Sequence, residues 1–185
     1  MILLAALGIA LIVSLATGGR LVNLGLVHLR HGYLIFVALG VQILVFSPAW
    51  QARVQVDNLS EALYSVSLLL LLAAVWLNRR VPGIAVLGLG LLLNALVILA
   101  NGGRMPATLE ALQTAGIVDS QAAFEAARVT NSALIDANTP LWFLGDVFAI
   151  PAWFPLANVF SIGDVFIGGG GILFIVYHTR PQPAD

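Results

Sequence analysis

Five long apolar runs follow one another along the chain, and most of the polar residues lie in the stretches between them. Each run has about 17–22 residues, close to the roughly 20 that a helix needs to cross the hydrocarbon core of a bilayer. The runs are continuous rather than alternating, which favours helices over the strands of a membrane β-barrel. The pattern predicts an all-α membrane protein, a bundle of five transmembrane helices over residues 1–17, 33–50, 61–77, 83–100 and 156–177.

The stretch between the fourth and fifth runs is the longest polar part of the sequence, residues 101–139. Its proline, glycine and aspartate positions predict two short helices, over 106–115 and 120–129, in a small helical cap. The apolar segment that follows is interrupted by Pro151 and Pro155, so we expect it to be interfacial or re-entrant. The predicted divisions are four transmembrane helices (1–100), the cap segment (101–141), and the interfacial or re-entrant segment with the last helix and tail (142–185).

Charged residues make up 9% of the chain, against roughly 25% in a soluble domain. Arginine is concentrated in the short loops on one side of the predicted bundle, where the positive-inside rule places the cytoplasm. The N-terminus is then outside, the C-terminus inside and the cap extracytoplasmic, in a multi-pass protein of the bacterial cytoplasmic (inner) membrane. The inner side holds Arg20, Arg30, Arg79, Arg80 and Arg180, and the outer side holds Arg53, Arg104 and Arg128.

The composition excludes several kinds of site. The chain has no cysteine, which rules out disulfides and thiolate metal ligands. It also lacks the basic patch that nucleic acid requires. We expect no cofactor, no metal and no nucleic-acid partner. The expected partners are the lipid bilayer and either a membrane-tethered substrate or a partner membrane subunit.

A short repeat contains the strongest candidates for catalytic residues, because Gly-Asp-Val-Phe occurs at residues 145–148 and again at 163–166. Asp164 lies inside the last apolar run, where an ionisable group is costly and is by default a functional hypothesis. Two carboxylates in a low-dielectric site share a proton, so one serves as acid and the other as base. On one continuous helix Asp146 and Asp164 would lie roughly 27 Å apart. A catalytic pair therefore requires a chain reversal, which the two intervening prolines permit.

Structural interpretations of the same residues stay open. Asp146 would then cap a short interfacial helix, and Asp164 would pair with Arg104 or accept a hydrogen bond from Ser161. An ion or ligand site is a further alternative. Asn94, a polar residue inside an apolar run, indicates a hydrogen bond between helices rather than a catalytic group.

The sequence Asn-Gly-Gly-Arg-Met-Pro, residues 101–106, lies at the outer end of the fourth predicted helix. Arg104 is a fixed cation on the same side as the two aspartates, where it would neutralise a carboxylate or bind a lipid phosphate. The alternative is a glycine C-cap followed by a proline stop. Asn101, Arg104 and Asn158 are the candidate substrate-binding or lipid-binding residues.

On these residues the whole chain resembles an uncharacterised bacterial family of small polytopic membrane proteins. The hallmark of that family is the stretch 101–106 between two helices, followed by a last helix rich in glycine and aspartate. The resemblance covers the full length and implies no activity.

The C-terminal third also resembles lipoprotein signal peptidase. The similar residues are Leu-Gly-Asp-Val-Phe at 144–148, Phe-Pro at 154–155 and Phe-Ser-Ile-Gly-Asp at 160–164. By this match the two catalytic aspartates of that enzyme fall on Asp146 and Asp164, and its Asn…Arg motif has a comparable place at Asn101 and Arg104. The sequence departs from the enzyme at Ser161, where the motif has Asn, and in the long stretch between Arg104 and Asp146.

The resulting lead hypothesis is an aspartyl membrane peptidase with an outward-facing site, similar to lipoprotein signal peptidase. Asp146 and Asp164 would share a proton and activate water, Arg104 would orient a lipid or a carbonyl group, and Asn101 would bind substrate. The alternatives are a non-catalytic subunit or assembly factor of a membrane complex, and a small-ligand or ion sensor or transporter.

Overall fold

The computed structural model describes residues 2–53, 58–126 and 131–180, and within them the chain is mostly helical. Five long apolar helices form where the apolar runs predict helices, since a helix satisfies the backbone hydrogen bonds of an apolar segment internally. Three short helices lie in the connections. In chain order the α-helices are α1 (Ile2–Ala16), α2 (Tyr33–Val45), α3 (Pro48–Arg53), α4 (Leu59–Leu77), α5 (Ile84–Ala100), α6 (Leu109–Thr114), α7 (Gln121–Ala126) and α8 (Ile162–Thr179).

Two of these helices, α4 and α8, are long and apolar enough to cross a membrane by length and composition. The helices α1, α2 and α5 are also apolar but shorter, with 15, 13 and 17 residues. The second apolar run ends early because Pro48 cannot continue the hydrogen-bond ladder and instead begins α3. The structure therefore supports two candidate spans, and the bundle of five full spans with N-out, C-in orientation stays a prediction.

The long helices pack in the order α1, α8, α5, α4 and α2. Glycines make the central contact, between α5 and α8, a close one. A Cβ atom on Gly90 would lie 2.6 Å from the backbone nitrogen of Ile167, and a Cβ atom on Gly83 would lie 2.6 Å from the carbonyl oxygen of Gly170. Small residues allow two helix backbones to approach until they touch. The α5–α8 pair is therefore held by backbone contact.

Between α5 and α8 the chain forms two small sheets that the sequence does not predict. Strand β1 (Met105–Ala107) pairs in parallel with β2 (Ser132–Leu134), and β3 (Phe148–Ile150) pairs antiparallel with β4 (Asn158–Phe160). Each strand has 3 residues, too few for an alternating pattern to be recognised. The predicted helical cap is thus a mixed segment of short helices and strands.

The first helix of the predicted cap begins later than expected, as α6, because Pro106 belongs to β1. Thr108 caps α6 by accepting a hydrogen bond from the N–H of Ala111. The second predicted helix corresponds to α7. Its expected end, residues 127–129 with Arg128, lies outside the described residues.

The last helix also begins later than its apolar run predicts. The residues that precede it are used in β4, and Ser161 starts α8 by forming a capping box with Asp164. In the segment expected to be interfacial or re-entrant, the chain forms a short 3₁₀ helix (Trp142–Leu144) followed by β3. The hairpin of β3 and β4 reverses the chain between the two aspartates.

Candidate functional site

Both aspartates of the Gly-Asp-Val-Phe repeat lie at the open end of the β3–β4 hairpin. Asp146 precedes β3, Asp164 follows β4, and the register pairs Phe148 with Phe160. Because the strands are antiparallel, the residues before β3 and those after β4 leave the hairpin at the same end. The hairpin therefore brings two carboxylates that are distant in sequence to one place.

The main chain of Asp146 is held against β1. Its N–H donates to the carbonyl oxygen of Pro106 at 2.7 Å, and its carbonyl oxygen accepts from the N–H of Thr108 at 3.3 Å. Asp146 also forms an isolated parallel bridge with Ala107. It precedes a strand rather than a helix, so the helix-capping interpretation does not apply to it.

Asp164 lies in the first turn of α8, where both oxygens of its carboxylate accept hydrogen bonds. Oδ2 accepts from the N–H and the Oγ–H of Ser161 at 3.0 and 3.1 Å, and Oδ1 accepts from Nδ2 of Asn94 at 3.0 Å. In return, Ser161 Oγ accepts from the N–H of Asp164. Since Asn94 belongs to α5, this carboxylate is fixed between α5 and α8.

The two carboxylates are electrostatically coupled. Burial, and to a lesser extent the negative charge of Asp164, raise the pKa of Asp146 from 3.8 to about 7. The phenol of Tyr64, on α4, lies within electrostatic range of both carboxylates. Asp146 therefore gains or releases a proton near neutral pH beside a carboxylate of fixed orientation. In the described part of the chain, no group of three or more His, Asp or Glu residues is placed to hold a metal ion.

Arg104 pairs with neither aspartate. Its Nη2 donates to Oε1 of Glu61, in the first turn of α4, at 2.8 Å. The preceding Gly103 has a φ of +87°, and a Cβ atom there would lie 2.7 Å from Cβ of Glu61. The loop after α5 thus lies directly against α4. The pairing of Arg104 with Asp164 that the sequence left open is replaced by this bridge to Glu61.

The two candidate asparagines occupy structural positions in the connection between α5 and α8, called the outer connection after its predicted side of the membrane. Asn101 ends α5, and its Nδ2 donates to the carbonyl oxygens of Val97 and Pro140. Asn158 begins β4, opposite Ile150. Their role in binding substrate or lipid stays a prediction.

Two residues of the site, Asn94 and Tyr64, are not among the candidate site residues predicted from the sequence. Asn94 shows the expected polar signal inside an apolar run, and it does join two helices, but its partner is the Asp164 carboxylate. Tyr64 carries no such signal, because a tyrosine in an apolar run is ordinary. Its place beside both carboxylates follows from the packing of α4 against α5.

An apolar cavity of about 450 Å³ lies beside the aspartates, between α2, α4, α5 and α8. Its lining is mostly leucine and isoleucine, and Tyr64 and Asn94 line it on the side of the carboxylates. Along α4 the lining runs from Tyr64 to Asn78, which corresponds to roughly 21 Å of helix. Neither aspartate lines the cavity, and Asn94, which donates to Asp164, is the residue that links the aspartate site to this apolar space.

The sequence profile of a family of unknown function, DUF5317, matches residues 26–176 of the chain. The chain belongs to this family. The matched region runs from before α2 into α8, so the aspartate site of this DUF5317 protein lies within it. No curated protein and no solved structure matches the chain.

Proposed function

We propose that this DUF5317 protein is an aspartyl peptidase of the bacterial cytoplasmic membrane, with Asp146 and Asp164 as its catalytic pair. The observation that carries the proposal is that the β3–β4 hairpin brings Asp146 and Asp164 to one end of a bundle of apolar helices, where burial raises the pKa of Asp146 to about 7. The substrate would be a peptide bond in a membrane-tethered chain, reached from the outer side of the membrane.

The surface of the helices supports a membrane location. Of the apolar windows of α4 and α8, 17% and 33% are buried inside the protein, so most residues of both windows keep some accessible surface. Other helices expose large apolar side chains, among them Phe36 (77%), Ile43 (74%) and Ile12 (69%). An apolar surface of this extent favours contact with lipid. With the arginine distribution, it supports a multi-pass protein with its N-terminus outside.

The proposed mechanism uses the two carboxylates in different protonation states. Asp164, oriented by Asn94 and Ser161, takes a proton from water while the water oxygen bonds to the carbonyl carbon. Asp146 gives its proton to the carbonyl oxygen, and a neutral tetrahedral diol forms. The C–N bond breaks as the nitrogen receives the proton from Asp164. Asp146 recovers a proton from a diol hydroxyl, which leaves a carboxylic acid and an amine.

The apolar cavity supports a substrate that enters from within the bundle or the bilayer. Its lining includes Asn94, which donates to Asp164, and Tyr64, which lies within electrostatic range of both carboxylates. An apolar space with a few polar groups at one end is typical of a ligand site. A tethering segment in the cavity would deliver the adjoining peptide bond to the aspartates.

A proton-responsive sensor is the second candidate. It is favoured by the raised pKa of Asp146, because a group that titrates near pH 7 changes its charge within the physiological range. In that case, protonation would alter the outer connection without any bond being broken.

The test compares the purified wild-type protein with Asp146→Asn and Asp164→Asn. Each protein is incubated with bacterial membrane fractions, and new peptide N-termini are identified by mass spectrometry. We expect new N-termini with the wild type and a loss of about a hundredfold or more in each variant. Asp119→Asn, which changes an exposed acid of the same outer connection, is the matched control and should retain full activity.

Either aspartate variant with wild-type activity and a normal unfolding temperature would rule out the catalytic pair. If the wild type also produces no new N-termini, the peptidase proposal fails. A change in the protease sensitivity of the outer connection between pH 6 and 8 would then favour the sensor. A protein that co-purifies in stoichiometric amount would favour a non-catalytic subunit or assembly factor.

A further inference from the structure

A basic pocket of about 660 Å³ lies at the end of the bundle opposite the aspartates. Asp164 belongs to the first turn of α8, whereas His178, which lines this pocket, belongs to the last. The other walls are the connection after α1 and the loop between α4 and α5, which contribute Arg20 and Arg80. We propose that this pocket binds a phosphate group, presented by an anionic phospholipid.

The two arginines that line the pocket have no carboxylate partner among the residues that the structure describes, where the ion pair found joins Arg104 to Glu61. The described acids lie elsewhere, in the first turn of α4, in the outer connection and in the first turn of α8. Guanidinium groups bind phosphate oxygens in a bidentate manner. Within the described residues, no carboxylate neutralises the positive charge of Arg20 and Arg80, which suits these side chains to an external anion.

His178 forms the wall of the pocket at the C-terminal end of α8, and its ring interacts with the backbone of Pro82. Its Nε2 atom is buried. A phosphate in the pocket would therefore be bound by the arginines, with His178 as part of the wall.

Hydrogen bonds from the wall of the pocket offset part of the negative charge at the C-terminal end of α8. The carbonyl oxygen of Thr179, at the C-terminus of α8, accepts from the N–H of Arg20 at 2.7 Å and from Nδ2 of Asn23 at 3.0 Å. These hydrogen bonds occupy a carbonyl group that a helix end otherwise leaves free. They also hold the segment that carries Arg20 against α8, so this wall of the pocket is fixed.

The surroundings of the pocket favour a lipid as the source of the phosphate. In the 3₁₀ helix Leu21–Leu26, Val22 is 71% and Leu26 is 69% exposed, and Leu26 also lines the pocket. A headgroup in the pocket would place its acyl chains along these apolar side chains. Basic pockets between membrane helices on the cytoplasmic side typically bind phospholipid headgroups. The inference does not depend on the proposed peptidase activity.

The test is native mass spectrometry of the full-length protein in detergent, titrated with phosphatidylglycerol or with zwitterionic phosphatidylcholine. We expect the wild type to retain phosphatidylglycerol more strongly. Arg20→Gln and Arg80→Gln should each weaken its binding by about fivefold, and the double variant by about 25-fold. Arg79→Gln is the matched control, because Arg79 stacks on Trp76 at 4.2 Å and does not line the pocket.

A second double variant, Arg20→Lys with Arg80→Lys, separates the loss of binding from a loss of folding. It keeps both charges and should retain most of the binding, while unfolding temperatures confirm that each protein is folded. Displacement of the lipid by inorganic phosphate at millimolar concentration would support the phosphate site but overturn phospholipid as its source. Equal binding of both lipids by the wild type, or equal losses in Arg79→Gln and the double glutamine variant, would overturn the site.

Discussion

The two ends of the helix bundle differ in whether their charged side chains have partners within the protein. At the end that carries the aspartates, called the outer end after the predicted orientation, several charged side chains have partners inside the protein: Asp164 accepts from Asn94 and Ser161, and Arg104 pairs with Glu61. At the inner end, two arginines line a pocket without a carboxylate partner in the described residues. The same helices, α4, α5 and α8, connect both ends.

This difference indicates what each end is suited for. Polar groups that satisfy one another inside a protein are held in a fixed geometry, which chemistry between a substrate and two carboxylates requires. Cations that lack an internal partner are suited to an external anion. The outer end should therefore respond to changes in packing and in proton concentration, and the inner end should respond to ligand.

The largest effect on stability is expected from the glycine contact that supports the outer network. A Cβ atom on Gly163 would overlap Oδ1 of Asn94 and lie 2.8 Å from the carbonyl oxygen of Gly90. Gly163→Ala should therefore push α8 away from α5 and break the hydrogen bond from Asn94 to Asp164. We expect a loss of about 3 kcal/mol in the free energy of unfolding, measured by denaturant unfolding in detergent.

Gly169→Ala is the matched control on the same helix. A Cβ atom on Gly169 would meet no other atom within 4 Å, so the substitution should be neutral or slightly stabilising, because alanine favours helix. If Gly169→Ala costs as much as Gly163→Ala, the loss is a general effect of altering α8. The contact with Asn94 would then not be what holds the outer network.

The second-largest effect is the fall in stability that is expected when Asp146 loses its proton. Its pKa is raised from 3.8 to about 7 in the folded protein, so the folded state binds this proton more tightly than the unfolded state does. The contribution of Asp146 to the free energy of unfolding is then fully present below about pH 4 and is lost as the pH rises towards 7. We expect a total fall of about 2 kcal/mol, reduced by the partial exposure of the group. Unfolding at a series of pH values measures it, and Asp146→Asn should remove it.

Asp136 serves as a control, because its pKa is shifted in the opposite direction to that of Asp146. It is exposed, and hydrogen bonds from the Thr139 side chain and then the Asn138 backbone lower its pKa. Its contribution is present above the pKa of the unfolded chain and is lost as the pH falls. Asp136→Asn should leave the fall between pH 4 and 7 unchanged. A fall that persists in Asp146→Asn would show that another group carries it.

The sequence predicts the outer end less completely than it predicts the helices. A long apolar run indicates a helix wherever it occurs, but a side chain decides where the helix begins, as Pro48 does for α3 and Ser161 does for α8. The repeated Gly-Asp-Val-Phe singles out Asp146 and Asp164 without any structure. Their surroundings depend on contacts between helices, such as the one from Asn94, 70 positions away in sequence from Asp164. The local pattern predicts that Asn94 bonds to another helix, but it does not identify Asp164 as the partner.

The smallest effect is expected at the bridge between Arg104 and Glu61. The two side chains are 50% and 19% exposed, so solvent screens their attraction, and such pairs contribute at most about 1 kcal/mol. Arg104→Gln, Glu61→Gln and the double variant form a cycle that measures the coupling by unfolding.

The same variants decide between two roles for Arg104. If it binds substrate, Arg104→Gln should raise the KM for membrane-tethered peptides while Glu61→Gln, which leaves the guanidinium in place, has a smaller effect. If Arg104 only holds the loop that contains Gly103 against α4, Arg104→Gln and Glu61→Gln should change stability and activity equally. A coupling well above 1 kcal/mol would mean that the bridge, as well as the glycine contact of α5 and α8, fixes the outer end.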